Sequence, residues 1–441
     1  MSKPRRFPSP SVNPEDREAR ASDFGGIVRR LPGAVATPEN AEEVAGVVRR
    51  AGLDGVPVAI RGAGHSQSGQ SLTDGGVVLD TTRLNRVEPV GQELIRAQGG
   101  AQWGHVVDAL DGTGRLPRVV VDVAEATVGG TLAAGGFGTT SHRYGVQVEQ
   151  VEQLEVVAGT GERLGCSRTE NADLFNAVRG GQGQFGVITE AWIRLRRAGR
   201  RIRLYELLYR DFGKFERDFR RLVAEDRSEH LRAQIRVRER EIILTVGAEY
   251  DGESYDGKAL DGLEHDKITW ARDTDEVGRA GMYPKWGFSR SNYHPWRDWF
   301  LPWQTLSTLI AQPWLDPDWV PPSPWNWIGM YPIRRMKSGD ASLFMRPDVE
   351  QMTSYSILGV ARTCESATEL ASRLRDVDRA LVKLGGKSYL SGRVAYGRAE
   401  WEEHYGEKLE QGRRWKREFD PQQVFRGSDM PFAENPDSWP R

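Results

Sequence analysis

VPVAIRGAGHSQSGQ, residues 56–70, is the stretch from which the rest of the chain can be read. It begins with a short apolar run, Val56-Pro57-Val58-Ala59-Ile60, which has the length and composition of a buried strand. The chain then breaks into a loop carrying Gly62, Gly64 and Gly69. Glycine has no Cβ, so such a loop can turn its N–H groups toward a ligand and approach it closely. Arg61 leads the loop and His65 sits in its middle. A second strand, Gly76-Val77-Val78-Leu79-Asp80, follows almost at once. No helix opens after these glycines, which excludes the fingerprint that places a pyrophosphate on a helix N-terminus. The pattern predicts a strand–loop–strand cradle for a diphosphate, with one histidine presented from it.

Around this cradle the sequence alternates short helices and strands. Thr37-Pro38-Glu39 has the form of a helix start, and Val44, Val47, Val48 and Ala51 follow at helical spacing until Gly52 and Gly55. Leu94–Gln98 reads as a strand, and about Trp103 to Leu110 as a helix. A second glycine cluster, TVGGTLAAGGFGTTSHRYG (127–145), has the small residues needed to pack chain against a flat ligand. A strand over 151–159 and a helix over 173–178 lead to a third cluster, GGQGQFGVITEAWIRLR (180–196), which runs into an alternating strand. Three glycine clusters joined by short αβ units predict one α+β domain around an extended ligand.

From about Arg200 the texture changes. Glycine thins and tryptophan concentrates, with Trp270, Trp286, Trp296, Trp299, Trp303, Trp314, Trp319, Trp325 and Trp327. These fit core and loop packing better than a substrate cage, because Trp carries a large burial area wherever it occurs. Alternating runs at 241–246 and 353–360 predict an antiparallel sheet. Residues 367–385 form an amphipathic helix with Leu370, Leu374, Val377 and Leu381 on one face. The division that follows is a polar tail over 1–24, a ligand-binding domain over 25–199, a second, antiparallel-sheet domain covered by helices over 200–392, and a C-terminal segment over 393–441 returning to the first domain.

Composition excludes several classes. The net charge of −1 offers no nucleic-acid footprint and no attraction to anionic membranes. The dense charge of 210–227 is mixed in sign, as on a solvated helix face. Two cysteines, Cys166 and Cys364, allow at most one disulfide and no cysteine metal site. Seven scattered histidines without HxxxH spacing argue against structural zinc, so no metal is expected. No stretch approaches the ~20 apolar residues of a membrane span. The pair Arg5-Arg6 has no apolar core behind it, so the tail reads as poorly ordered and not as an export signal, and a cytoplasmic location is expected.

Five stretches, taken in order, resemble the vanillyl-alcohol oxidase / p-cresol methylhydroxylase superfamily, and within it the cytokinin dehydrogenases. They are RGAGHSQSGQS (61–71), DVAEATVGGTLAAGGFG (122–138), LFNAVRGGQGQFGVIT (174–189), YHPWRDWFLP (293–302) and FDP (419–421). The resemblance implies a two-part FAD-binding domain and a substrate domain. It implies FAD contacts at Arg61, Gly62, Ala63, Gly64, His65, Ser66, Gln70, Ser71, Asp122, Thr127, Gly130, Thr131, Ala133, Gly136, Phe137, Gly186, Val187 and Ile188. It also implies a covalent bond from His65 to the flavin 8-methyl group. Relatives with a second, cysteinyl link keep that cysteine just before the middle cluster; Val123-Ala124-Glu125 stands here instead, so a single histidyl link is expected.

Asp122 falls where the cytokinin dehydrogenases keep their catalytic aspartate, five residues before TVGG. An acid suits the chemistry: as hydride leaves carbon for flavin N5, the adjoining N–H or O–H must lose a proton to a base. Arg393 stands approximately where the family has a tyrosine near the flavin, and is the second catalytic candidate. On the residues alone, His65 also fits a plain turn residue, Asp122 a cap after an apolar run, and His142 and Arg143 simple loop order. Three departures, at Arg393, Ala133 and Arg426-Gly427-Ser428-Asp429, bear on the substrate more than on the flavin. The expected activity is dehydrogenation of a C–N bond in a small molecule, an N6-alkylated adenine or a similar secondary amine, with oxygen or a quinone reoxidising the flavin. The alternatives are an alcohol, sugar or natural-product oxidase on the same scaffold, and a flavin-binding protein without turnover.

Overall fold

The apolar runs flanking the first glycine loop become a parallel sheet of three strands, Ala34–Ala36, Val77–Asp80 and Val58–Arg61, with Val77–Asp80 central. The computed structural model describes residues 10–280, 292–309, 312–316, 319, 327–335, 341–426 and 430–433. The helix Ala41–Asp54 covers this sheet with Val44, Val47, Val48 and Ala51 buried, as their spacing predicts. Its start differs from the Thr37-Pro38 expectation. Asn40 is the cap, and its side chain accepts from Glu43 N at 3.0 Å, satisfying a donor of the first turn.

A second, antiparallel sheet completes the first domain. Its strands run in the order Val87–Val90, Leu94–Gln98, Gly186–Arg197, Val151–Ala158 and Arg163–Ser167, with Arg115–Pro117 on the far end of Gly186–Arg197. The middle glycine cluster contains a helix, Val128–Ala134, which opens directly at Thr127. Its turns lie close to the sheet edge, where Gly129 N donates to Gly99 O and Val128 N to Ala101 O.

The second domain is a nine-stranded antiparallel sheet. The helices Phe212–Ala224 and Cys364–Lys383 share one apolar cluster on it, with Leu370, Leu374, Val377 and Leu381 all buried. The charged 210–227 stretch is thus an amphipathic helix, with Phe212, Phe215, Phe219 and Leu222 inward. The strand Trp296–Pro302 shows how the two domains meet. Trp299 and Leu301 pack into the cluster beneath the helices, whereas Phe300 packs into the core of the first domain. Successive residues of a strand face opposite sides, so one strand contributes to both cores. Each such large side chain contributes ~1.5–3 kcal/mol by burial.

One other expectation changes. Residues 10–24, expected as part of the tail, are docked in their described portion. Ser11 bridges Val35, the short helix Pro14–Glu18 is capped by Asn13, and Arg20 pairs with buried Asp80 at 3.0 Å. Cys166 is buried and Cys364 exposed, and they form no disulfide. The C-terminal segment does return to the first domain: Lys416, fully buried, donates to Gln184 O, Phe425 O and Asp420, and Phe425 bridges Val58. Arg5, Arg6, Trp286, Trp325 and 427–429 lie outside the described residues. No described helix is long and apolar enough to cross a membrane.

Candidate active site

All three glycine clusters converge on one cavity. The first loop supplies Gly62, Ala63, Gly64, His65, Ser66, Gln70 and Ser71; the middle cluster supplies Thr127, Gly130, Thr131 and Ala133; the third supplies Gly186 and Ile188. The clusters touch one another as well as the cavity. A Cβ on Gly62 would stand 2.1 Å from Thr127 Oγ1, so only glycine lets the first loop lie against the second cluster. Gln182 N donates to Ala133 O at 2.9 Å, and Gly180 N to Leu132 O at 3.0 Å, which docks the third cluster onto the middle one.

The remaining expected contacts do not line this cavity, each for a physical reason. Arg61 turns under the loop: its guanidinium lies where a Cβ on Gly64 would be, and it donates to Ser22 O and Ser71 Oγ, both at 3.2 Å. It holds the loop in shape from behind. Val187 sits between Gly186 and Ile188 on a strand and therefore faces the opposite way, into the core with Val58 and Leu79. Gly136 spends its N–H on Tyr389 Oη at 3.1 Å. Phe137 turns into an aromatic cluster with Phe300, Tyr331 and Tyr389, at ring-centroid distances of 5.3–5.4 Å. Arg393 lines a separate cleft beside Arg297 and Asp378, and its charge acts on Asp23.

Sequence reasoning missed the contribution of the second domain. Tyr389 and Ser391 close the cavity from that side. The connection is tight: Gln70 Nε2 donates to Leu390 O at 2.6 Å, Ser68 Oγ to Gly392 O at 3.0 Å, and Gln67 N to Ser391 O at 3.1 Å. No local pattern around 389–391 marks it. Ile60, Thr81, Gln182 and Gly183 were also missed, although Gln182 and Gly183 stand within the third cluster itself.

His65 faces the cavity and packs on Phe24 with ring centroids 5.0 Å apart. Phe24 in turn packs on His294 and Trp296 of the HPW motif, which gives that motif a structural role behind the histidine.

Asp122 lies beyond the aromatic cluster, buried. The chain from Arg118 to Asp122 is held alongside the end of the middle cluster, with Thr140 Oγ1 donating to Arg118 O at 2.8 Å and Gln147 Nε2 to Val119 O at 3.2 Å. Two groups of the second domain reach it: the Tyr331 hydroxyl donates to Oδ2, and Arg232 Nη1 lies 3.4 Å from the same oxygen. Burial raises the Asp122 pKa to about 6, although Arg232 and Tyr331 pull it down. A carboxyl poised there is ionised at neutral pH and can still hold a proton it receives. Nearby, His230 Nε2 meets Glu249 at 2.9 Å, and Glu249 is held by Arg196 in a buried pair that keeps its carboxyl well below the usual range. His142, between Thr139 O and Ser228 O, is a buried structural histidine, its pKa lowered to about 4 by desolvation. Arg143 joins the two domains through Asp226 and Glu229.

The cavity fits a long, flat, diphosphate-bearing group. Its floor is backbone and small side chains, His65 is the histidine in its lining, and Gly62, Gly64 and Gly186 stand where a Cβ would strike neighbouring protein atoms. Comparison with known proteins points the same way. Residues 32–167 match the family model described as FAD binding domain, and residues 289–430 match the one for cytokinin dehydrogenase 1, FAD and cytokinin binding. An uncharacterized oxidoreductase of the fasciation locus of Rhodococcoides fascians is 41% identical over 216 residues, 49% of each chain. Cytokinin dehydrogenase 7 of Oryza sativa subsp. japonica is 43% identical over 220 residues, 48% of this chain and 42% of that one. The chain thus matches these curated relatives over about half their length. Xylooligosaccharide oxidase from Myceliophthora thermophila shares the fold with a TM-score of 0.80 at 21% identity, covering 97% of this chain and 96% of that one. 6-Hydroxy-D-nicotine oxidase from Arthrobacter nicotinovorans does so with a TM-score of 0.73 at 23% identity, covering 99% and 100%.

Proposed function

We propose that this chain is an FAD-dependent oxidoreductase of the vanillyl-alcohol oxidase / p-cresol methylhydroxylase superfamily, acting on a C–H next to nitrogen, with Asp122 as the proton acceptor; the matching family models and the cytokinin dehydrogenase relatives support this reading. The observation that carries this reading is Asp122 itself. It is a buried carboxyl whose pKa burial raises to about 6, and it connects to the cavity lining through Tyr331, which packs on Phe137 and so on Tyr389. Bound FAD supplies the acceptor for a hydride. The glycine loops would hold the cofactor through backbone, and Asp122 would take the proton that the substrate N–H releases as its C–H is oxidised. The cytokinin dehydrogenase relatives support an N6-alkylated adenine or similar secondary amine as substrate, giving an imine that hydrolyses to amine and aldehyde.

Asp122→Ala should slow flavin reduction by ~10²–10⁴-fold while bound FAD is kept. Unchanged reduction kinetics would remove Asp122 from the reaction. An anaerobic screen of amines against alcohols and sugars, read by bleaching of the flavin, tests the substrate class. Bleaching by a sugar and not by an isopentenyl-type amine would assign the chain to alcohol oxidation instead.

We also read His65 as the site of a covalent flavin link, since it is the histidine presented into the cavity. Acid-precipitated protein should then keep its flavin, and His65→Ala should release it; flavin that washes off the wild type refutes the link. The same reading includes a small-molecule substrate, oxygen or a quinone as electron acceptor, and a cytoplasmic location.

A further inference from the structure

Asp122 is bound unevenly. Tyr331 and Arg232 both act on Oδ2, while Oδ1 is buried and has no hydrogen-bond partner among the described residues. The two donors come from different elements of the second domain. Arg232 is on the strand His230–Arg236. Tyr331 follows the strand Trp327–Met330, and its backbone is pinned by Ser354, which accepts from its N–H at 3.0 Å and donates to its carbonyl at 2.9 Å. Asp122 belongs to the first domain, so its environment exists only where the two domains meet.

We propose that Tyr331 and Arg232 are positioning residues that occupy Oδ2 of Asp122 and thereby reserve Oδ1 as the atom that takes the proton. This rests on the reading of Asp122 as the base. An oxygen that already accepts a hydroxyl and faces a guanidinium loses those bonds if it is protonated. Protonation of Oδ1 leaves both in place, and it relieves a buried oxygen that is otherwise unsatisfied. In the step, the substrate N–H bond breaks and an O–H bond forms at Oδ1. The electron pair of the adjoining C–H leaves as hydride to oxidised FAD, so the substrate loses two electrons and FAD gains two. The carboxylic acid then returns its proton to solvent.

Other groups facing Asp122 do not supply an alternative arrangement. His230, two residues before Arg232 on the same strand, adds a charge effect on Asp122, but its ring nitrogens are engaged by Thr139 and Glu249. Gly138 approaches Oδ1 only with backbone, a Cβ there falling 3.5 Å away.

The test uses FAD-loaded protein and two readouts. One is the pH profile of flavin reduction. The other is the infrared carboxylic-acid C=O band of protonated Asp122 in the oxidised, substrate-free protein, assigned by its loss in Asp122→Asn. With Oδ1 protonated, the C=O is Oδ2 and carries both donors. Tyr331→Phe should therefore move the band to higher wavenumber and raise its titration midpoint by about one unit, with the acidic limb of the rate profile following. Arg232→Lys should shift both less than Arg232→Met, since lysine keeps a donor. If Tyr331→Phe and Arg232→Met leave band and midpoint unmoved while FAD content is normal, the proposal is overturned. Should Tyr331→Phe fail to fold, the Arg232 pair decides by itself. Wild-type reduction rates in Asp122→Asn would instead refute the base reading, and the infrared band would still report which oxygen is protonated.

Discussion

The two walls of the cofactor cavity are built on different principles. The wall from the first domain is backbone: three glycine clusters, Thr127 and Thr131, and no charged side chain other than what His65 can carry. The wall from the second domain is side chain: Tyr389 and Ser391 at the cavity, with Phe300 and Tyr331 behind them and Arg232 reaching Asp122. The first wall grips by shape, which tolerates no added atom. The second sets protonation, which tolerates a change of shape better than a change of charge.

That contrast can be broken most directly at Gly62. Gly62→Val puts carbon where Thr127 Oγ1 stands, 2.1 Å from the Cβ position, so the purified protein should be nearly free of flavin by absorbance. Flavin at wild-type stoichiometry would show that the first wall is not a shape-limited cradle. A smaller effect is expected across the cavity. Tyr389→Phe leaves the buried Gly136 N–H without its acceptor, a cost of about 1–3 kcal/mol. It should lower Tm by several degrees while FAD is retained. Loss of FAD without loss of Tm would give Tyr389 a direct cofactor role instead.

The smallest effect is a pH dependence of stability that belongs to the acids around the site. Burial raises Asp23, Asp122 and Asp298 each to about 6 from 3.8. A raised folded pKa means that the folded state holds the proton more tightly. The stability these groups contribute is therefore full below about pH 4 and is lost as pH rises through about 6. These acids pull the Tm of the apoprotein down between pH 5 and 7, against buried His142 and His404, whose lowered pKa values raise it, so Asp298→Asn should make the slope more positive than in the wild type. A Tm that rises across this window would place the dominant titration at the buried imidazoles, for instance His142, whose pKa lowered by burial to about 4 acts with the opposite sign.

The same division separates what was legible in the sequence from what was not. Thirteen of the contacts implied by the resemblance, from Gly62 to Ile188, line the cavity, since each motif that carries the resemblance is a contiguous stretch that folds as one loop or turn. Val187 and Arg61, which the resemblance also included, lie off the lining: Val187 faces the core by the strand period of two, and Arg61 turns under the loop. Asp122 was found by its spacing from TVGG, but its partners were not. Tyr331 and Arg232 lie 209 and 110 residues away, with no pattern around either to tie them to it.

By itself, then, the sequence marked the glycine loop and the histidine in it, and its resemblance to a family marked Asp122. Each depends on backbone freedom or on side chains a few residues apart, and the chain encodes those directly. Only the tertiary structure decided that the 56–70 loop is closed by Tyr389 and Ser391, that Arg61 supports it from behind, and that Asp122 is held by one oxygen from another domain. These are consequences of which faces of two sheets pack together. Hydrophobic burial drives that packing without regard to distance along the chain.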